Sequence, residues 1–170
     1  MRREPDEAFV GAVNDHARII HKIARAYFDD PLDQQDVIQE MLFQLWRSYP
    51  SFEGKAQFST WMYRVCFNTA LTWRRRHERH STDSLSPAHG EIPNPPPDRD
   101  EEGLEQLYKA IDGLSGLNKA LILLYLEDRS YDEMAMITGL TKSNVSVRLV
   151  RIKKELEKKL TQQTPGDGNA

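Results

Sequence analysis

The chain has 170 residues, with 23 basic against 26 acidic side chains and a formal net charge of -3. That length suits one medium domain or two small ones, and the charge balance excludes a polycation, so any nucleic-acid surface must concentrate positive charge locally. The single cysteine, Cys66, excludes an intramolecular disulfide and a cysteine-based zinc cluster, and no run approaches the roughly 20 apolar residues of a membrane span.

Met1 to Glu7 is charged and leads into no long apolar stretch, so no secretory signal is expected and the protein is expected to be soluble and cytoplasmic. From Asp6 to about Phe28, apolar residues at Phe9, Val13, Ala17, Ile20, Ile23, Ala24 and Tyr27 recur every three or four positions and predict a helix. Asp29-Asp30-Pro31 breaks it. A second helix is predicted from about Leu32 to Tyr49, with Val37, Met41, Leu42, Leu45 and Trp46 on one side, ending in the loop Pro50 to Lys55. Asp33, Asp36 and Glu40 fall on or near its exposed face, where a solvated or partner-binding role fits better than a catalytic carboxylate cluster.

A third helix is predicted from about Ser59 to Arg79 and closes on Arg74-Arg75-Arg76. Three consecutive arginines point in different directions around a helix and exceed what compensation of its C-terminal dipole requires. Phe52, Phe58, Trp61, Tyr63, Phe67 and Trp73 lie beside them. Rings interleaved with cations suit single-stranded nucleic acid, where bases stack and phosphates meet charge. Trp61 and Trp73 fit that role and a structural one equally well, because a small helical domain has few other large residues.

Residues 81–102 carry one arginine against six acids and the run Pro93-Asn94-Pro95-Pro96-Pro97, which predicts an extended acidic linker. Helices are predicted from Leu104 to Leu114 and from Leu117 to about Leu126. Then comes a helix-turn-helix pattern. Ser130 and Glu133 form a capping box, Gly139 supplies a left-handed residue, and Thr141 caps a second helix running to about Leu160. Met134, Ala135, Ile137, Leu140, Val145 and Leu149 are the apolar positions that clamp the pair. The second helix turns polar and basic groups outward, as a helix entering a major groove must. A glycine-turned hairpin also occurs as a plain packing unit, and the basic run Arg148, Arg151, Lys153, Lys154, Lys158, Lys159 also fits a solvated face interleaved with Glu155 and Glu157. Residues 164–170 are expected to fray.

No catalytic constellation emerges. His77 and His80 share a helix face in a basic setting hostile to a metal, His16 and His21 are five apart, and His89 stands alone. There is no phosphate-binding glycine loop and no nucleophile elbow. The expectation is a non-enzyme with no metal and no cofactor: an all-α chain of two small helical domains, 1–80 and 103–163, on a flexible acidic Pro-rich linker.

Together the halves resemble a bacterial RNA polymerase sigma factor of the extracytoplasmic-function group, within the sigma-70 family. Asp33-Gln34-Gln35-Asp36-Val37-Ile38-Gln39-Glu40, continuing to Leu45-Trp46, is similar to the family's second-region helix. Phe58-Ser59-Thr60-Trp61-Met62-Tyr63-Arg64-Val65-Cys66-Phe67-Asn68, followed by the arginines, resembles the stretch after it. Leu107 to Leu156 resembles the fourth region. The resemblance implies that Asp36, Gln39, Glu40 and Gln44 dock on the beta-prime clamp of core RNA polymerase. It implies that Phe52, Lys55, Trp61, Arg64 and Asn68 hold flipped bases of the −10 element, with Arg74, Arg75 and Arg76 on the backbone near the melted junction. The acidic linker would thread the RNA exit channel.

At the −35 element it implies Lys142 and Arg148 on phosphates and Ser146, Val147, Val150 and Arg151 in the groove, with Ser143 and Asn144 beside them and the beta flap as partner. Many relatives carry Gly-Thr where this chain has Ser143-Asn144, and Lys or Arg at Ser146, so promoter sequence does not carry over. An anti-sigma factor, often membrane-bound, is a further implied partner. The alternative is a stand-alone DNA-binding regulator like a LuxR-type output domain, which leaves residues 30–76 without a purpose.

Overall fold

The computed structural model describes residues 6–81 and 99–163, and in these every regular element is helical. Helix α1 spans Glu7–Asp15 and α2 spans Ala17–Tyr27, so the single helix expected over this stretch is broken at His16. Asn14, Asp15 and His16 are poor helix formers, and the His16 backbone (φ -115, ψ 14) leaves the helical well. The ring restores the local hydrogen bonding through Nδ1 to the Ala12 carbonyl at 2.9 Å. The break lets Phe9 turn towards Tyr49 while Ile20 and Ile23 face the remaining core.

Asp30 caps α3 (Pro31–Ser48) by accepting from the Leu32 amide at 2.9 Å, and Pro31 occupies the first turn, where its missing N–H is no loss. The proline that ends one helix therefore also starts the next. Val37, Met41 and Leu45 are fully buried along α3, whereas Leu42 stays 39% exposed, against its expected core-side place. A 3-10 turn over Tyr49–Ser51 leads into a loop and then α4 (Phe58–Ser81). Helices α2, α3 and α4 pack mutually around Ile23, Met41, Leu45, Met62 and Cys66.

Helix α5 starts at Arg99 and runs to Asp112, so the acid-rich residues 99–102 of the expected linker are helical, as is Ser81 at the end of α4; residues 82–98, His89 among them, and the expected tail lie outside the described residues. Helices α6 (Gly116–Leu126), α7 (Tyr131–Thr138) and α8 (Lys142–Gln163) complete the second unit around Leu121, Leu124, Met134, Leu149 and Ile152.

The two units pack against each other, α2 on α5 and α6, and α4 on α7. The contact is chemically specific. Lys119 of α6 is fully buried, its ammonium donating to the Ala26 carbonyl at 3.1 Å and to Asp112 at 2.8 Å. In return the Tyr27 hydroxyl donates to the Gly116 carbonyl at the start of α6. Lys22 pairs with Glu127. Arg129 reaches the Ser59 hydroxyl at 3.3 Å and lies over the Tyr63 ring at 5.1 Å. A buried charge is tolerated only when paired and hydrogen-bonded, and Lys119 satisfies that across the seam between units.

Candidate nucleic-acid interface

The aromatic residues near the 3-10 turn form one cluster. Trp61 lies 5.1 Å from Phe52, 5.3 Å from Phe58 and 6.2 Å from Tyr49, and Phe52 meets Phe58 edge-on at 5.7 Å. All four are half-buried, so each ring supports the packing of α4 on α3 and keeps an exposed edge or face. Tyr63 and Phe67, by contrast, stack at 5.9 Å and are buried, Phe67 against Tyr27 and Tyr63 under Arg129, which removes them from any base-stacking role in this arrangement. Burial pushes the Tyr63 hydroxyl above its ordinary pKa, and it pushes the Cys66 thiol up as well, so neither is ionised at neutral pH.

Arg64 and Asn68 follow one another along the exposed side of α4, with Arg75 and Arg76 further on. Arg74 departs from its neighbours. Its Nε donates to Glu78 at 3.1 Å, and one terminal nitrogen is buried with no hydrogen-bond partner among the described residues. It is turned inward and partly neutralised, while Arg75 and Arg76 face out. Trp73 packs against the core and stacks on His77 at 5.5 Å, and its indole N–H is buried with no hydrogen-bond partner among the described residues, so the ring serves the packing of α4. Lys55 is exposed in the loop beside Gly54, whose φ of 69° needs a glycine, and pairs with Glu53.

On α3, Asp36 and Gln39 face solvent. Glu40 does not: at 100° per residue it rotates towards α4, is half-buried, and accepts from Gln44 at 2.7 Å. Both line a concavity of about 360 Å³ between α3 and α4, whose other wall carries Asn68, Thr72 and Arg76. Residues expected at polymerase and residues expected at DNA thus share one cleft. The exposed α3 stripe also includes Leu32 and Phe43, 59% and 46% exposed, which the sequence pattern does not single out, and Leu42, expected on the core side but 39% exposed. Exposed large apolar side chains gathered beside acids are a feature of protein contact surfaces.

The helix-turn-helix is built as its local sequence dictates. The Ser130 hydroxyl accepts from the Glu133 amide at 3.2 Å and Glu133 accepts from the Ser130 amide at 2.9 Å. That backbone donor, aided by Arg129, holds the Glu133 carboxyl below the usual carboxylate range. Gly139 closes α7 at φ 77, and Thr141 caps α8 through the Asn144 amide at 3.2 Å. With Val145, Leu149, Ile152 and Leu156 buried, α8 presents Ser143, Asn144, Val147, Val150 and Arg151 to solvent, with Ser146 half-buried. Lys142 pairs with Asp132 at 3.2 Å, and Arg148 donates to Asn118 of α6 at 3.2 Å. Asn118 carries no sequence signal of its own, since its partner is 30 positions away. No group of three or more metal-ligating side chains occurs among the described residues.

Two family models match successive stretches of the chain. Residues 12–80 match Sigma-70 region 2, and residues 104–156 match Sigma-70, region 4. The ECF RNA polymerase sigma-E factor of Escherichia coli K12 is 30% identical over 141 residues, covering 75% of this chain and 74% of that protein. The RNA polymerase sigma factor YlaC of Bacillus subtilis is 26% identical over 165 residues, covering 86% and 95%. Among solved structures, the sigma factor RpoE bound to the anti-sigma factor NepR from Bartonella quintana superposes with a TM-score of 0.76 at 20% identity, covering 94% of this chain and 100% of that one. CnrH in complex with the cytosolic domain of CnrY gives 0.68 at 20% identity, covering 92% and 90%.

Proposed function

The chain belongs to the extracytoplasmic-function group of sigma-70-family sigma factors, which bind core RNA polymerase and direct promoter recognition and transcription initiation, and on that premise we propose how its surfaces divide the work. The exposed α3 stripe of Asp36 and Gln39, with Phe43 beside them, docks on the polymerase beta-prime clamp. Glu40 and Gln44 support that stripe from the cleft behind it and order its neighbour α4. The aromatic cluster around Trp61, with Phe52, Lys55, Arg64 and Asn68, receives unstacked bases of the −10 element. Extrusion of a base costs a few kcal/mol, which stacking and polar contacts on α4 offset. Arg75 and Arg76 hold the adjoining backbone; Arg74 chiefly positions the end of α4.

Helix α8 enters the −35 major groove. Val147, Val150 and Arg151 meet base edges, with Ser143, Asn144 and Ser146 flanking them and Lys142 and Arg148 on phosphates. The second unit also meets the beta flap. The polymerising chemistry belongs to core enzyme, and this chain acts as a non-catalytic factor in the cytoplasm; no described helix is long and apolar enough to cross a membrane. An anti-sigma factor controls it. That reading is supported by the whole-length likeness to a sigma factor solved with NepR, the partner named in that structure. A membrane-bound inhibitor would hold it at the inner membrane.

The observation that carries the proposal is the pairing, in one chain, of an exposed acidic and apolar α3 stripe with a capped helix-turn-helix. Run-off transcription with core polymerase over genomic fragments should give promoter-dependent transcripts, and their absence would overturn it. Asp36→Ala with Gln39→Ala should weaken core binding at least tenfold in a pull-down, while the thermal unfolding midpoint stays in place, because both side chains face solvent.

A further inference from the structure

A polar concavity of about 390 Å³ opens beside the recognition helix. One wall is a single stripe of α8, Asn144, Val147, Arg148 and Arg151, at the three- and four-residue spacing of one helix face; the other is Asn118 in the first turn of α6. A guanidinium carries only donors, so the 3.2 Å contact from Arg148 must use the Asn118 carboxamide oxygen. The amide orientation is thereby fixed by chemistry, and its two N–H groups are left to donate elsewhere. No carboxylate lines the concavity.

How Arg148 is held differs from how other cations of this helix are held. Lys142 is paired with Asp132 and Lys159 with Glu155, so each shares its charge with a nearby carboxylate. Arg148 is half-buried and restrained by a neutral amide, which fixes the side chain and leaves its full charge. An extended arginine loses considerable rotamer entropy when it engages a ligand, and a restraint present beforehand removes part of that loss.

We propose that Asn118 is a positioning residue for duplex binding: its carboxamide holds Arg148 at the mouth of the α6–α8 concavity, aimed at one backbone phosphate of the −35 element. The proposal rests on the reading that α8 enters the −35 groove, and it adds a residue outside the helix-turn-helix to that interface. The phosphate is the fitting ligand because every polar side chain lining the concavity can donate and two of them are cationic.

The test uses the full chain in holoenzyme with core polymerase, titrated against a duplex promoter fragment at several salt concentrations. Arg148→Ala should weaken binding about five- to tenfold and reduce the slope against log salt by about 0.9, the signature of one lost phosphate contact. Asn118→Leu should weaken it about threefold, equally for every −35 base substitution, and have no further effect in the Arg148→Ala background. Asn118→Asp should match Arg148→Ala, since a carboxylate fixes the guanidinium but cancels it. Thermal melts of each variant show that the fold is retained. Weakening by Arg148→Ala with none by Asn118→Leu, or additive effects of the two, would overturn the role of Asn118 alone. If Arg148→Ala and Arg151→Ala both leave −35 dependence intact, the groove reading of α8 fails and the positioning role fails with it.

Discussion

The two faces proposed to meet nucleic acid are built on opposite plans. On α4 the rings offered to bases are the same rings that hold the unit together: Trp61 touches Phe52, Phe58 and Tyr49, and Tyr49 in turn meets Phe9 of α1 at 4.9 Å. On α8 the side chains proposed for the groove are not used for packing. Val147 and Val150 are 50% and 51% exposed, and the helix is held from behind by Val145, Leu149 and Ile152. A site that melts DNA needs rings that can part from solvent and stack, and a small domain has few rings to spare from its core. A site that reads an intact duplex needs only a rigid rod with a free face. Binding surface and stability are therefore coupled in the first unit and separable in the second.

The largest expected effect breaks the first half of that contrast. Trp61→Ala should destabilise the protein by about 2–3 kcal/mol, somewhat below the ~3–5 kcal/mol of a fully buried aromatic because the ring is half-exposed. It should also abolish permanganate-detected opening of the −10 region. Val150→Ser should change −35 binding while leaving stability within about 0.5 kcal/mol. Denaturant unfolding followed beside promoter binding separates the two. Equal losses of stability from both variants would refute the contrast.

A second effect concerns the seam that lets one unit influence the other. Lys119→Met keeps the buried stem but leaves the Ala26 carbonyl without its donor, an expected loss of about 1–3 kcal/mol. Gly116→Phe attacks the same seam by volume. A Cβ at this position already comes 2.3 Å from Leu71 Cδ2 and 3.8 Å from the Tyr27 ring, so a phenyl group must displace the Leu71 side chain or push α6 off α4. Small-angle scattering should show a larger radius of gyration for both variants, more for Gly116→Phe. An unchanged radius for both would mean the seam does not hold the units together.

What the sequence disclosed of all this follows a physical line. Ser130, Glu133, Gly139 and Thr141 were legible because a cap is settled within four residues, and the apolar spacing of α3 and α4 located both helices. The break at His16 was not legible, since Phe9, Val13, Ile20 and Ile23 keep helical spacing across it; Asn14, Asp15 and His16 weaken the helix only slightly, and the contact of Phe9 with Tyr49 lies far along the chain. Leu42 reads as core by type, yet α3 contacts neighbours only on the faces carrying Val37, Met41 and Leu45. Glu40 reads as an exposed acid, but the neighbouring α4 turns its surroundings into a cleft. Lys119 and Asn118 were hidden most completely. Each is an ordinary polar helix residue whose meaning lies in a partner 93 or 30 positions away.

The smallest expected effect sharpens the second half of the contrast, because the second unit draws stability from the local cap of α7, away from the face of α8 proposed for DNA. Glu133 has its folded pKa below the ordinary carboxylate value, first because the Ser130 amide donates to it and then because Arg129 lies nearby. A depressed carboxylate pKa gives stability that is present above the unfolded value of about 4.3 and is lost as pH falls through the still lower folded value. Wild-type protein should therefore lose part of its stability on acidification below about pH 4.3 that Glu133→Gln does not lose, because glutamine still accepts from the Ser130 amide but has no proton to gain. The measurement is the difference in unfolding midpoint between the two proteins across pH 7 to 3. It should be widest at neutral pH, where only the carboxylate attracts Arg129, and should narrow in acid. A constant difference would mean that the cap works through its hydrogen bonds alone and that the charge on Glu133 contributes nothing to setting α7.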